Sequence, residues 1–120
     1  MNIKTILMVE DEEHLRKLYQ DELTDEGYRV IVAGDGDQGF EYYQNQKPDL
    51  VTIDIKMQGA DGISLMHKIR KLDKKIPIIL YTAYGEYSQD FLTWAANEYL
   101  AKSSDLEQLK SKIRKLLSDS

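Results

Sequence analysis

Apolar and polar positions along this chain fall into two alternating rhythms. Short runs rich in Ile, Val, Leu and Tyr span Ile3 to Val9, Tyr28 to Ala33, Asp49 to Asp54, Ile76 to Tyr81 and Glu98 to Ala101. Each is too short for a helix, and the β-branched content and flanking Gly or Pro predict strands. Between them apolar residues return every three or four positions. Glu10-Asp11-Glu12-Glu13 opens a helix carrying Leu15, Leu18, Tyr19 and Leu23 until Gly27 stops it. After a turn at Gly34-Asp35-Gly36-Asp37, a weaker helix carries Phe40 and Tyr43 and is closed by Lys47-Pro48. Asp61 is placed to cap a third helix with Leu65, Ile69 and Leu72 on one face, and a fourth lies around Tyr87 to Ala95. Ser104 and Glu107 have capping-box spacing before the last helix, whose stripe is Leu106, Leu109, Ile113, Leu116 and Leu117. Its Lys110, Lys112, Arg114 and Lys115 read as a solvated face that complements the helix dipole.

About five strands alternating with about five helices predict an α/β fold: a central parallel sheet with helices on both faces, because parallel neighbours need crossover connections. The first, third and fourth strands are the most apolar and belong in the middle, and the fifth at an edge. At 120 residues the chain is expected to form one domain, residues 1–120, with no linker or repeat.

Composition narrows the function. A hydrophobic fraction of 42% and a charged fraction of 31% are those of a globular protein in water, and no apolar run approaches the ~20 residues of a membrane span. Met1-Asn2-Ile3-Lys4-Thr5 leads into a strand without the pattern of a signal peptide, and there is no cysteine, so a cytoplasmic setting is expected. The net charge of -5 argues against direct nucleic acid binding, since phosphates would repel this domain.

Chemistry gathers at one end of the predicted sheet. Glu10-Asp11 follows the first strand, Asp54 ends the third, Thr82 follows the fourth and Lys102 the fifth. In open α/β sheets ligands bind beyond the carboxyl ends of the strands. Singly, each residue has a plain structural reading: Asp11 as a helix cap, Thr82 as a strand end, Lys102 as a solvated lysine. Together they point to a site. Converging carboxylates repel, and a hard cation with oxygen ligands, Mg²⁺ or Mn²⁺, relieves that repulsion.

Val9-Glu10-Asp11, the run Asp54-Ile55-Lys56-Met57-Gln58-Gly59-Ala60-Asp61-Gly62, Tyr81-Thr82-Ala83 and Tyr99-Leu100-Ala101-Lys102 resemble the motifs of the receiver domain of bacterial two-component response regulators, in order and spacing over nearly the whole chain. The resemblance implies a flavodoxin-like (βα)5 fold of strand order 2-1-3-4-5 and phosphoryl transfer from a histidine kinase, or a phosphotransfer protein, to Asp54. It implies that Asp11 and Asp54 ligate Mg²⁺ directly, Glu10 through water and Lys56 through its backbone carbonyl, while Thr82 and Lys102 bind the phosphoryl oxygens. Tyr99 would be the aromatic that turns inward when Thr82 moves. The surface of the fourth helix, fifth strand and last helix, near Trp94, Tyr87 and Phe91, would then engage a downstream target or effector domain. Such a protein assists its own phosphorylation and dephosphorylation without being a dedicated enzyme.

This chain departs from the family pattern at Gln58, at Ala95-Ala96-Asn97 before the fifth strand, and at Ser103, where the family has proline. The Lys102-Ser103 bond is expected to be trans, since a non-proline cis bond costs about 2.5–4 kcal/mol. Lys56 and Tyr84 flank the expected acyl phosphate, and their bulk is expected to obstruct water. Three other readings compete. Gly34-Asp35-Gly36-Asp37-Gln38-Gly39 matches a dinucleotide-binding G-x-G-x-x-G, but Asp35 and Asp37 would face the pyrophosphate with like charge. A haloacid dehalogenase-type phosphatase would need a second acid where Lys56 stands. A receiver-shaped interaction module that is never phosphorylated leaves Asp11, Asp54, Thr82 and Lys102 without a purpose.

Overall fold

The computed structural model describes residues 2–55, 62–82, 95–101 and 106–118. Five strands, β1 (Thr5–Val9), β2 (Arg29–Ala33), β3 (Leu50–Asp54), β4 (Ile78–Thr82) and β5 (Glu98–Ala101), form one parallel sheet in the order β2-β1-β3-β4-β5. The helices described are α1 (Glu13–Asp25), α2 (Gly36–Gln46), α3 (Gly62–Leu72) and a last helix, Glu107–Ser118. The apolar first, third and fourth strands are indeed the central ones, and β5 lies at an edge.

Alternation along the strands divides the core into two layers. On one face Leu7, Val9, Val51, Ile53, Ile78 and Leu80 pack with Leu65, Met66 and Ile69 of α3, and Phe40, Tyr42 and Tyr43 of α2 lean on them. On the other, Ile6, Met8, Leu50, Ile79 and Leu100 meet Tyr19 and Leu23 of α1 and Leu109, Ile113 and Leu117 of the last helix. β1 and β3 are buried along their whole length, as strands covered on both faces must be.

Several boundaries differ from the sequence reading. β1 begins at Thr5, where Asp49 pairs with it through Asp49 N–H to Thr5 O (2.8 Å) and Thr5 N–H to Asp49 Oδ2 (2.8 Å); Ile3 is exposed. α1 starts only at Glu13, and Glu12 at its N-cap makes no side-chain cap, so Glu10 and Asp11 stay outside the helix. Asp35, read as part of a turn, caps α2 by accepting from Gln38 N–H at 2.8 Å, and the helix runs on from Gly36. At the far ends of these helices, Gly27 stops the chain after α1 with φ 99°, and Lys47 takes the left-handed conformation at φ 47°. Leu72, expected on the buried face of α3, is 61% exposed at the last residue of the helix, although Ile69 in the same turn is fully buried. β4 begins at Ile78, two residues later than expected.

The Ala95-Ala96-Asn97 departure has a structural role. Asn97 N–H donates to Ile78 O (2.8 Å), and its side-chain oxygen accepts from Ile78 N–H (2.9 Å) and the Arg70 guanidinium (3.0 Å). Arg70 also donates to the carbonyls of Ala95 (2.6 Å) and Ile76 (2.7 Å), tying α3 to the starts of β4 and β5. The last helix corrects the solvated-face reading at Lys110, whereas Arg114 and Lys115 are exposed as that reading expects. Lys110 is only 9% exposed and bonds Glu22 of α1 at 2.8 Å, Arg114 bonds Glu26 at 2.9 Å, and Lys112 pairs with Glu98 of β5 at 3.3 Å. The expected helix around Tyr87, the Asp61 cap and the Ser104 capping box fall outside the described residues, as does the Lys102-Ser103 bond.

Candidate functional site

β1 and β3 are neighbours, with Val9 opposite Ile53. That register brings the residue after β1, Glu10, beside the residue that ends β3, Asp54. One carboxylate oxygen from each of Glu10, Asp11 and Asp54 lies within 4.8 Å of the others. Glu10 is fully buried and Asp54 is 2% exposed. Two buried carboxylates and a third half-buried one, this close, form a donor set suited to a hard divalent cation. Their mutual repulsion is what such an ion removes.

The cluster is held from several sides. Glu10 N–H donates to Ala33 O at 2.9 Å, tying the end of β1 to β2. Its carboxylate accepts from the Glu12 amide through Oε2 (3.0 Å) and from the Tyr81 hydroxyl through Oε1 (3.2 Å). Arg16, one turn into α1, donates from one guanidinium nitrogen to the carbonyls of Glu10 (2.9 Å) and Asp11 (3.0 Å), fixing the loop that carries both acids. On the other side Gly62 N–H donates to Ile55 O at 3.1 Å, and a Cβ at Gly62 would collide with the Asp54 carbonyl oxygen and come within 2.7 Å of Ile53 Cγ2. Only glycine allows α3 to start this close to the end of β3.

Tyr81 is the feature that sequence reading missed. The sequence places it in the fourth strand and in the Tyr81-Thr82-Ala83 motif but gives its hydroxyl no role. The side chain is 3% exposed, on the same face as Asp54, edge-on to Tyr19 with ring centroids 5.8 Å apart. Burial first, then the negative charges of Glu10, Tyr19 and Asp54, with the hydrogen bond to Glu10, push its phenol well above the usual 10.0. It therefore stays a neutral donor. The available signal was its place: a polar-tipped residue one position from the end of a central strand, where buried hydroxyls find partners.

Of the other predicted site residues, Thr82 is the last residue of β4, opposite Ala101, and Tyr99 lies on β5 opposite Leu80, partly buried against the α2 and α3 layer. The Thr82 side chain, and Lys56, Tyr84 and Lys102 entirely, fall outside the described residues. The structure thus brings Glu10, Asp11 and Asp54 together, with Thr82 one position beyond the residue that contacts them.

Known proteins agree with this geometry. The response regulator receiver domain family matches residues 6–114. The chain is 34% identical over 119 residues to sporulation initiation phosphotransferase F of Bacillus subtilis, covering 98% of this chain and 95% of that protein. It is equally, 34%, identical to a probable transcriptional regulator, ycf27, of Cyanophora paradoxa, of which it covers 49%. This chain spans about half the length of several such regulators. Among solved structures, response regulator protein TrrA of Thermotoga maritima, in complex with Mg²⁺-BeF, superposes with a TM-score of 0.91 at 42% identity, covering 96% of this chain and 100% of that one. TrrA in complex with histidine kinase ThkA superposes at 0.89, again at 42% identity, covering 96% and 99%. The class of protein that this sheet and acidic cluster fit is a receiver domain. The chain belongs to the response regulator receiver domain family.

Proposed function

We propose that this chain accepts a phosphoryl group on Asp54 from a histidine kinase or phosphotransfer protein and signals by the change that follows. The observation that supports this most is the convergence of Glu10, Asp11 and Asp54 at the carboxyl ends of adjacent strands in a chain of this family. TrrA, at 42% identity, is a response regulator solved both with Mg²⁺-BeF and with histidine kinase ThkA.

The donor set fits Mg²⁺, or Mn²⁺: carboxylate oxygens only, near one another and able to share an octahedral ion with water. Asp11 and Asp54 would hold it directly, Glu10 through water, and the Lys56 carbonyl would complete the protein ligands. When bound, the ion neutralises charge on the transferring group. The chain's own work is positional. One Asp54 carboxylate oxygen forms a bond to phosphorus in line with the breaking P–N bond of the phosphohistidine, whose electron pair returns to the imidazole nitrogen, which is then protonated. Thr82 and Lys102 bind the remaining phosphoryl oxygens. The acyl phosphate adds about two negative charges, and movement of Thr82 toward it gives Tyr99 room to turn inward. The surface around the fourth predicted helix, β5 and the last helix then presents a different face to a downstream target or effector domain.

In this reading residues 1–120 form one receiver unit acting in the cytoplasm. It assists its own phosphorylation and dephosphorylation but is not a dedicated enzyme, and touches neither nucleic acid nor membrane itself. Among the described residues no helix is long and apolar enough to cross a membrane. Incubation with Mg²⁺ and a small acyl phosphate donor, followed by intact mass and peptide mapping, tests it. One added phosphoryl group on Asp54, lost in Asp54→Asn and on removal of Mg²⁺, is expected. Full labelling in Asp54→Asn refutes the assignment of Asp54, and no labelling under any donor favours a module that binds without phosphorylation.

A further inference from the structure

We propose that Tyr81 is a positioning residue for the metal-binding carboxylate Glu10, and that its hydroxyl sets how tightly this receiver holds its divalent cation. The role rests on the metal-assisted phosphoacceptor reading of the same cluster. Tyr81 stands on β4 and Glu10 follows β1, with β3 between them. The side chain must therefore reach across two strand spacings of about 4.8 Å each. Its hydroxyl ends 3.2 Å from Glu10 Oε1. A phenylalanine would cover the same apolar ground and stop short of the carboxylate.

Three contacts make Tyr81 a fixed reference point rather than a passing neighbour. Its backbone is in register with Asp54. Its carbonyl accepts Ile55 N–H at 3.0 Å. Its ring stands edge-on to Tyr19 at 84° and is almost fully buried. Glu10, by contrast, has a long side chain with several rotatable bonds. The Tyr81 hydroxyl and the Glu12 amide each take one of its oxygens, selecting one orientation before any ion arrives. A carboxylate offers about four lone-pair sites, more than these two bonds use. Orientation of a ligating group by a hydrogen-bond donor behind it commonly changes metal affinity 10–100-fold. Tyr81 also ties Glu10 mechanically to the strand end that carries Asp54, so the ligands from β1 and β3 keep one spacing.

The test is Mn²⁺ binding to the full chain, read by titration calorimetry and by electron paramagnetic resonance of the free ion. Tyr81→Phe, which keeps the ring and its contact with Tyr19, should weaken Mn²⁺ about tenfold while the far-ultraviolet circular dichroism is unchanged. In a Glu10→Gln background the same replacement should change affinity less than twofold, which a general loosening of the core would not produce. Unchanged or tighter binding in Tyr81→Phe, or an equal loss in both backgrounds, overturns the proposal. Should Tyr81→Phe not fold, 3-fluorotyrosine at position 81 of the otherwise native chain decides. Its fluorine resonance should shift on adding Mg²⁺, less so with Glu10→Gln, and a resonance indifferent to the ion overturns the proposal. If native protein binds no divalent cation at all, the metal-assisted reading itself falls; if it binds and Tyr81→Phe binds equally, only the role of Tyr81 does.

Discussion

At Gly62 a single methyl group has nowhere to go, because the atoms it would strike are the main chain of Asp54 and the branched side chain of Ile53. Backbone cannot swing aside as a flexible side chain can. Gly62→Ala is therefore expected to destabilise the fold by about 1–3 kcal/mol, and to slow phosphorylation by displacing Asp54; chemical denaturation and a labelling time course measure the two. Thr52 shows the opposite defect. It is fully buried two residues before Asp54 on the same face, and its hydroxyl has no hydrogen-bond partner among the described residues. Leaving a polar group dry and unpaired costs about 1–3 kcal/mol. Thr52→Val, of nearly the same shape, should raise stability by about 1–2 kcal/mol, visible as a higher Tm, and an unchanged or lower Tm would show that the hydroxyl is satisfied. Neither residue stands out in the sequence, because a glycine after an acid and a threonine in an apolar run are both common.

The last helix illustrates how far periodicity reaches. Its stripe was legible because Leu109, Ile113 and Leu117 follow a local spacing that survives in the structure. Lys110 was not, since its burial depends on Glu22, 88 residues away in sequence. The hydrogen bond from Lys110 to Glu22, with the charges of Glu22, Glu107 and Glu26, raises the ammonium above its ordinary 10.5 against the opposing effect of burial. The sign follows from proton binding: below about 10.5 the lysine is protonated in both states and the bond contributes fully. Above it the unfolded chain gives up its proton first, and the contribution is lost as pH rises through the higher folded value. The stability difference between the native chain and Lys110→Gln should thus be constant from neutral pH to about 10 and close at more alkaline pH. Denaturant titrations across that range check it, and a difference that widens there would contradict the pairing.

The assembled molecule concentrates its electrostatic strain in one place. Three carboxylates within 4.8 Å of one another, when ionised, repel by roughly 3–4 kcal/mol per pair at an effective dielectric of about 20, that of a protein near its surface. Folding without a cation therefore works against the site. Mg²⁺, binding only the folded chain, should raise Tm in proportion to the logarithm of its concentration above its Kd, and a chelator should reverse the rise. Asp54→Asn removes one charge and with it two of the three repulsions, so in chelator it should be more stable than the native chain, and Mg²⁺ should stabilise it less. Paired melts in Mg²⁺ and in chelator test both statements; an Asp54→Asn chain less stable than native in chelator would deny the repulsion.

Local patterning was enough for the alternation of strand and helix, the central position of the three most apolar strands, and the places where acids end strands, because each depends on neighbours a few positions apart. The motifs around Asp11, Asp54, Thr82 and Lys102 carried the resemblance for the same reason, being short and contiguous. Distances across the sheet were different. That Glu10 and Asp54 meet was expected from the strand ends and the resemblance, but how near they lie follows from β1 and β3 being adjacent, and that Tyr81 reaches Glu10 follows from the width of β3 between them. Leu72 is exposed at the end of α3 although Ile69 in the same turn is buried, and Lys110 sank because α1 lies beside the last helix. Each of these is set by how elements far apart in sequence pack, a property of the folded chain that no local spacing encodes.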